Sequence, residues 1–166
     1  MSLVVSNRSK VSLTQAGEMY GIKPVYQGWD FGLRLPFKLK DTKESNLLVD
    51  EIKHLFLDAK TTSFYNDLEI TVPIEPKKFF STPPYGRIYI RPKEDAIEIG
   101  MYEFVTSDLI STLRRTVMID KILRRTLLGR RLKEYWMSKD GIDESQAEAR
   151  LVEVTPYADS DPSLVV

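Results

Sequence analysis

Cysteine is absent from the 166 residues, and histidine occurs once, as His54. The first absence excludes disulfides, thiolate metal sites and thiol nucleophiles, and the two together leave no ordinary zinc cluster. No apolar run approaches the roughly 18–20 residues of a membrane-spanning helix. No Gly-rich loop leads into a helix in the phosphate-cradling pattern, and no calcium-loop spacing occurs. The opening MSLVVSNRSK lacks a signal-peptide pattern, because polar and charged residues interrupt its apolar stretch, which predicts an intracellular chain. No catalytic residue, metal, cofactor or small-molecule ligand is expected, and the chain reads as non-enzymatic.

What is present is a charge reversal. Residues 114–133 carry eight cations, Arg114, Arg115, Lys121, Arg124, Arg125, Arg130, Arg131 and Lys133, against Asp120, a net of +7. Residues 140–161 carry Asp140, Asp143, Glu144, Glu148, Glu153, Asp159 and Asp161 against Arg150, a net of −6. The formal charge of the whole chain is zero, so the asymmetry is one of placement. Such placement concerns partners: phosphate-rich surfaces, anionic lipid or a second copy of the chain.

Length and composition, 42% hydrophobic and 29% charged, fit one globular domain. Residues 1–24 read as a flexible N-terminal arm, 25–138 as the domain, and 139–166 as an acidic, partly disordered C-terminal segment with a disordered tail from Pro156. From Val25 to Leu39 the odd positions are mostly apolar and the even ones mostly polar, which predicts one long strand with an apolar face and a break at Pro36. Leu48, Ile52, Leu55, Phe56 and Ala59 then recur at helical spacing, after the candidate caps Asp41, Thr42 and Ser45. Residues 68–74 alternate again, and the strands around Ile88–Ile90 and Ile97–Met101 form an expected hairpin across Pro92–Asp95. From Ser107 the chain is helical, with a break expected near 118–120, a bend near Gly129 and a short acidic helix over 145–152. The order predicts an α+β fold: an antiparallel sheet with helices packed on one face.

Three features invite a functional reading. The eight cations of residues 114–133 form a candidate face for an anionic partner, since the arginine fork matches phosphate oxygens. The alternative is a solvated face paired locally or with the acidic tail. Arg87, Tyr89 and Arg91 share one strand face and combine charge with a ring, as a stacking and phosphate surface would. Phe79, Phe80, Pro83, Pro84 and Tyr85 make a proline-aromatic loop that reads as a rigid turn or a partner contact. His54 has no neighbouring nucleophile motif and reads as a surface residue.

The succession of an aromatic strand (Trp29 to Leu39), a helix (Ser45 to Ala59), a Gly-Arg-x-Tyr strand (Gly86 to Ile90), a strand (Ile97 to Phe104) and a helix from Ser107 resembles the compact matrix proteins of rhabdoviruses. The resemblance spans residues 25–128. Two features depart from that pattern: the first 24 residues are not lysine-rich, and the proline-tyrosine motif is one residue out of register. The resemblance implies self-association, nucleocapsid condensation and peripheral membrane contact, without catalysis. The expected protein is thus a homo-oligomeric assembly protein that meets nucleoprotein, RNA or an anionic membrane surface. It would sit in the cytoplasm, at a membrane periphery or in a virion. A small RNA-binding regulator is the alternative, and a hydrolase or transferase with an unfamiliar carboxylate site is the third reading.

Overall fold

The computed structural model describes residues 20–27, 30–56, 59–64, 67–74, 86–103 and 109–160. The run from Val25 to Leu39 forms two strands rather than one. β1 (Lys23–Gln27) and β2 (Asp30–Leu35) pair antiparallel, with Gln27 opposite Asp30. The reversal changes side-chain parity: Val25 lies opposite Gly32 and Pro24 opposite Leu33. Odd positions of β1 therefore share a face with even positions of β2, which corrects the single apolar face expected from the alternation. β2 ends directly before Pro36, which has no ladder donor.

β3 (Lys60–Phe64), β4 (Asp67–Ile74), β5 (Gly86–Pro92) and β6 (Ile97–Glu103) complete a six-stranded sheet ordered β1-β2-β6-β5-β4-β3. Every neighbouring pair is antiparallel. The expected β5–β6 hairpin is present, its turn closed by Lys93 N–H donating to the Ala96 carbonyl at 2.7 Å. β3 had no apolar alternation to announce it.

The register sets Leu33, Ile99, Ile90 and Ile70 side by side across four strands, with Leu35 beside Ile97 in the next row. All six are buried and join one core cluster with residues of every helix. Direct cross-strand neighbours point the same way, so the helices cover this one face, and the fold is α+β.

α1 (Thr42–Leu55) starts at Asp41, whose carboxylate accepts from Glu44 N–H at 3.0 Å, while Glu44 reaches back to Lys40 N–H. It buries Leu48 and Ile52; Ala59 is buried too, but beyond the helix end. α2 (Leu109–Arg125) runs unbroken through 118–120, and the break falls at Thr126. There the Thr126 hydroxyl accepts from Leu128 N–H and starts α3 (Leu127–Asp140). Gly129 lies in the first turn of α3 rather than at an end. A Cβ there would stand 2.1 Å from the Leu123 carbonyl oxygen, so the α2–α3 corner closes only on glycine. α4 (Glu144–Val154) follows, and α3 packs against the other three helices.

Tyr20, Gly21 and Ile22 are not a loose arm. Ile22 is buried in the core, and the indole N–H of Trp136 donates to the Tyr20 carbonyl at 2.8 Å. Lys23 and Pro24, also within the expected arm, open β1, and residues 1–19 lie outside the described residues.

Candidate functional site

The basic run and the acidic run meet within the chain. At the C-terminal end of α2, Arg124 donates from Nε to Thr155 Oγ1 at 2.9 Å and from one terminal nitrogen to Asp159 at 3.0 Å. Arg125 takes the other Asp159 oxygen at 2.7 Å, so one carboxylate bridges two guanidinium groups. Lys121 donates to the Ala158 carbonyl at 2.8 Å. These contacts hold residues 155–160 as turns against α2, with Thr155 and Ala158 fully buried. The disordered tail expected from Pro156 is corrected through Ser160; residues 161–166 lie outside the described residues.

The cations of α3 are likewise engaged. Glu51 of α1 accepts from Leu127 N–H at 2.9 Å and pairs with Arg130 at 3.0 Å. One carboxylate thereby caps the positive end of α3 and neutralises a cation one turn on. Arg131 pairs with Glu134, and Lys133 with Glu148 of α4 at 2.8 Å. The reading in which these cations pair locally or with the acidic segment, the alternative to an open phosphate face, is the one found for all six described members, Lys121, Arg124, Arg125, Arg130, Arg131 and Lys133. The side chains of Arg114 and Arg115, which α2 carries nearer its start, lie outside the described set.

Asp120, the one anion in the basic run, is the most perturbed group described. It is fully buried under the C-terminal turn, where Oδ2 accepts from Tyr157 N–H at 2.9 Å and Oδ1 has no hydrogen-bond partner. Burial pushes its pKa up to about 8, against the opposing pull of the Tyr157 N–H and of Arg124. The carboxyl is thus mostly neutral at pH 7. Its position between Ile119 and Ile122, both buried, is the sequence signal that would have found it: a lone acid on an apolar stretch of helix.

On the sheet's other face, Tyr89 is not an exposed platform. It is only 5% exposed and lies over Gly100, where a Cβ would come within 2.0 Å of its ring. The Arg91 guanidinium covers the ring at 4.0 Å from its centroid. Beside it, Arg34 pairs with Glu98 at 2.7 Å. Arg34, Arg91, Lys93, Glu94, Asp95 and Glu98 line a cleft of about 530 Å³. Its three cations and three carboxylates balance, and the cleft carries no single-sign field. The side chain of Arg87 and residues Phe79, Phe80, Pro83, Pro84 and Tyr85 lie outside the described residues.

His54 is exposed, its Nδ1 at 2.8 Å from the Asp50 carbonyl oxygen. Among the described residues, no group of three His, Asp or Glu is placed to hold a metal ion. None of the described helices is long and apolar enough to cross a membrane. The chain matches no family, no curated protein and no solved structure.

Proposed function

We propose that this chain is a non-enzymatic assembly protein that self-associates and meets an anionic partner by exchanging carboxylates already held on its arginine-rich helices. The observation that supports this most is Asp159, whose two oxygens bridge Arg124 and Arg125. A basic surface complementary to an acidic segment of its own chain is equally complementary to the same segment of a second copy. A phosphate-rich partner, such as nucleoprotein, RNA or an anionic membrane surface, competes for the same guanidinium groups. It meets Arg125 and Arg130 first, since their side chains are 47% and 50% exposed. Such a protein works in the cytoplasm, at a membrane periphery or in a virion. A purely RNA-binding regulator is less supported, because Tyr89 is buried beneath Arg91.

Light scattering coupled to size exclusion, at low and high salt over a range of concentrations, tests the reading. Dimers or open polymers at low salt that dissociate at high salt are expected. A monomer at every salt and concentration overturns self-association. For the anionic partner, binding of labelled RNA or anionic liposomes should fall steeply with salt and be lost in an Arg124→Ala/Arg125→Ala variant.

A further inference from the structure

The joint between α3 and α4 indicates how one copy meets the next, an inference that rests on the self-association reading above. Residues 144–160 dock on α2 and α3 through contacts that can be made and unmade as a set. These are Lys133–Glu148, the Arg124 and Arg125 bridge to Asp159, the Lys121 bond to the Ala158 carbonyl, and the burial of Leu151 and Val154. α4 carries its own start signal: Asp143 accepts from Gln146 N–H at 2.8 Å, and the Gln146 side chain accepts from Asp143 N–H at 3.1 Å. This capping box lies wholly within the segment, so the helix start travels with it to either copy.

The connection to α3 is only Gly141, Ile142 and Asp143. Gly141 is exposed and left-handed at φ 65, and a Cβ there would meet nothing within 4 Å. Gly141 itself is therefore free of packing, while Ile142 beside it rests against the core. Arg150 spans the connection, pairing with Asp140 and resting 4.6 Å above the Tyr20 ring.

We infer that residues 144–160 exchange between two copies of the chain, pivoting at Gly141, so that each acidic segment docks on the other copy's basic helices. The closed monomer and the exchanged dimer share the same docking contacts. They differ in the hinge and in the entropy of association, so concentration sets the balance. Opposite net charges on the segment and its receptor draw the exchanged segments together before they touch.

Unlabelled and isotope-labelled chains, unfolded and refolded together at high concentration, test this without any mutation. A carbodiimide joins the Lys133 amine to the Glu148 carboxylate as an amide, and the dimer fraction is then digested and weighed. Exchange predicts that about half of the Lys133–Glu148 crosslinks in the dimer join chains of different isotope. Gly141→Ala, which penalises the left-handed hinge, should raise the dimer-to-monomer ratio by roughly fivefold or more. A dimer whose crosslinks all stay within one isotope overturns the exchange while leaving self-association standing. Absence of any dimer overturns both.

Discussion

Across β2, β6, β5 and β4 the contact row is Leu33, Ile99, Ile90 and Ile70, whereas residues 155–160 meet α2 through Lys121, Arg124 and Arg125 against carbonyls and a carboxylate. Both regions belong to one fold, yet different physics holds them. Apolar burial is not screened by salt and does not titrate, and it contributes about 1.5–3 kcal/mol for each fully buried branched side chain. Ionic contacts at a partly exposed surface weaken with salt and can be traded for others of the same geometry. The sheet row is therefore the part least sensitive to salt, and the ionic contacts of residues 155–160 are the part that salt and competitors address.

The sharpest way to break the comparison is in the sheet. Ile99 is fully buried in the middle of the row, between Leu33 and Ile90. Ile99→Ala should cost about 2–5 kcal/mol in a urea titration, through lost burial and the cavity left behind. The loss should be the same at low and high salt. A strongly salt-dependent loss would show that the row does not act through apolar packing alone.

Asp120 sharpens the contrast from the other side, because its effect depends on pH. Its pKa is about 8 in the folded chain, against 3.8 as the ordinary value, so the folded state holds a proton that the unfolded state releases. This contribution is fully present below about pH 4, declines as pH rises through the interval, and is gone above about pH 8. Asp120→Asn keeps an acceptor for Tyr157 N–H and removes the titration. Thermal unfolding of the parent should lose on the order of a few kcal/mol relative to Asp120→Asn between pH 5 and 9. Parallel curves for the two proteins would mean that the carboxyl is solvated.

Much of the sheet was legible in the sequence because period-two alternation marks strands that have one dry face. β4, β5 and β6 could be read from Leu68–Ile74, Ile88–Ile90 and Ile97–Met101 for that reason. β3 could not, since Lys60-Thr61-Thr62-Ser63 is polar throughout and sits at the sheet's edge. The β1–β2 reversal was hidden because apolar residues occupy odd positions on both sides of it, Val25 before and Trp29 and Phe31 after. The charge reversal was plain as composition, but its resolution was not. Whether Arg124 faces solvent or Asp159 depends on how α2 and α4 pack, and no local pattern encodes that. Tyr89 was misplaced for a similar reason: Gly100 opens a hollow opposite it, on another strand.

Arg124 is the cation most deeply committed to the C-terminal contact, with a side chain only 16% exposed and donors to Thr155, Val152 and Asp159. Arg124→Ala leaves those acceptors without their partner and should cost about 1–3 kcal/mol. Arg124→Lys should recover little of it, because one nitrogen cannot reach the three places that Arg124 serves from Nε and its two terminal nitrogens. Arg124 also pulls the Asp120 pKa down, so the Ala variant should move the midpoint of the pH-dependent loss upward. An unchanged midpoint would separate the two residues energetically.

The smallest effect belongs to Asp159, and it is the most diagnostic. Its side chain is 74% exposed, and water screens both of its ion pairs. Asp159→Asn keeps the shape and an acceptor oxygen while removing the charge, so the cost should stay below about 1 kcal/mol at low salt and shrink toward zero at high salt. The same variant takes away the internal competitor for Arg124 and Arg125. Its affinity for an anionic partner should therefore rise while its stability falls slightly. A gain in binding with almost no loss in stability is the signature of a contact that is exchanged. A loss in both would mark Asp159 as a structural strut, and the C-terminal segment would then belong with the sheet row among the parts that competitors do not address.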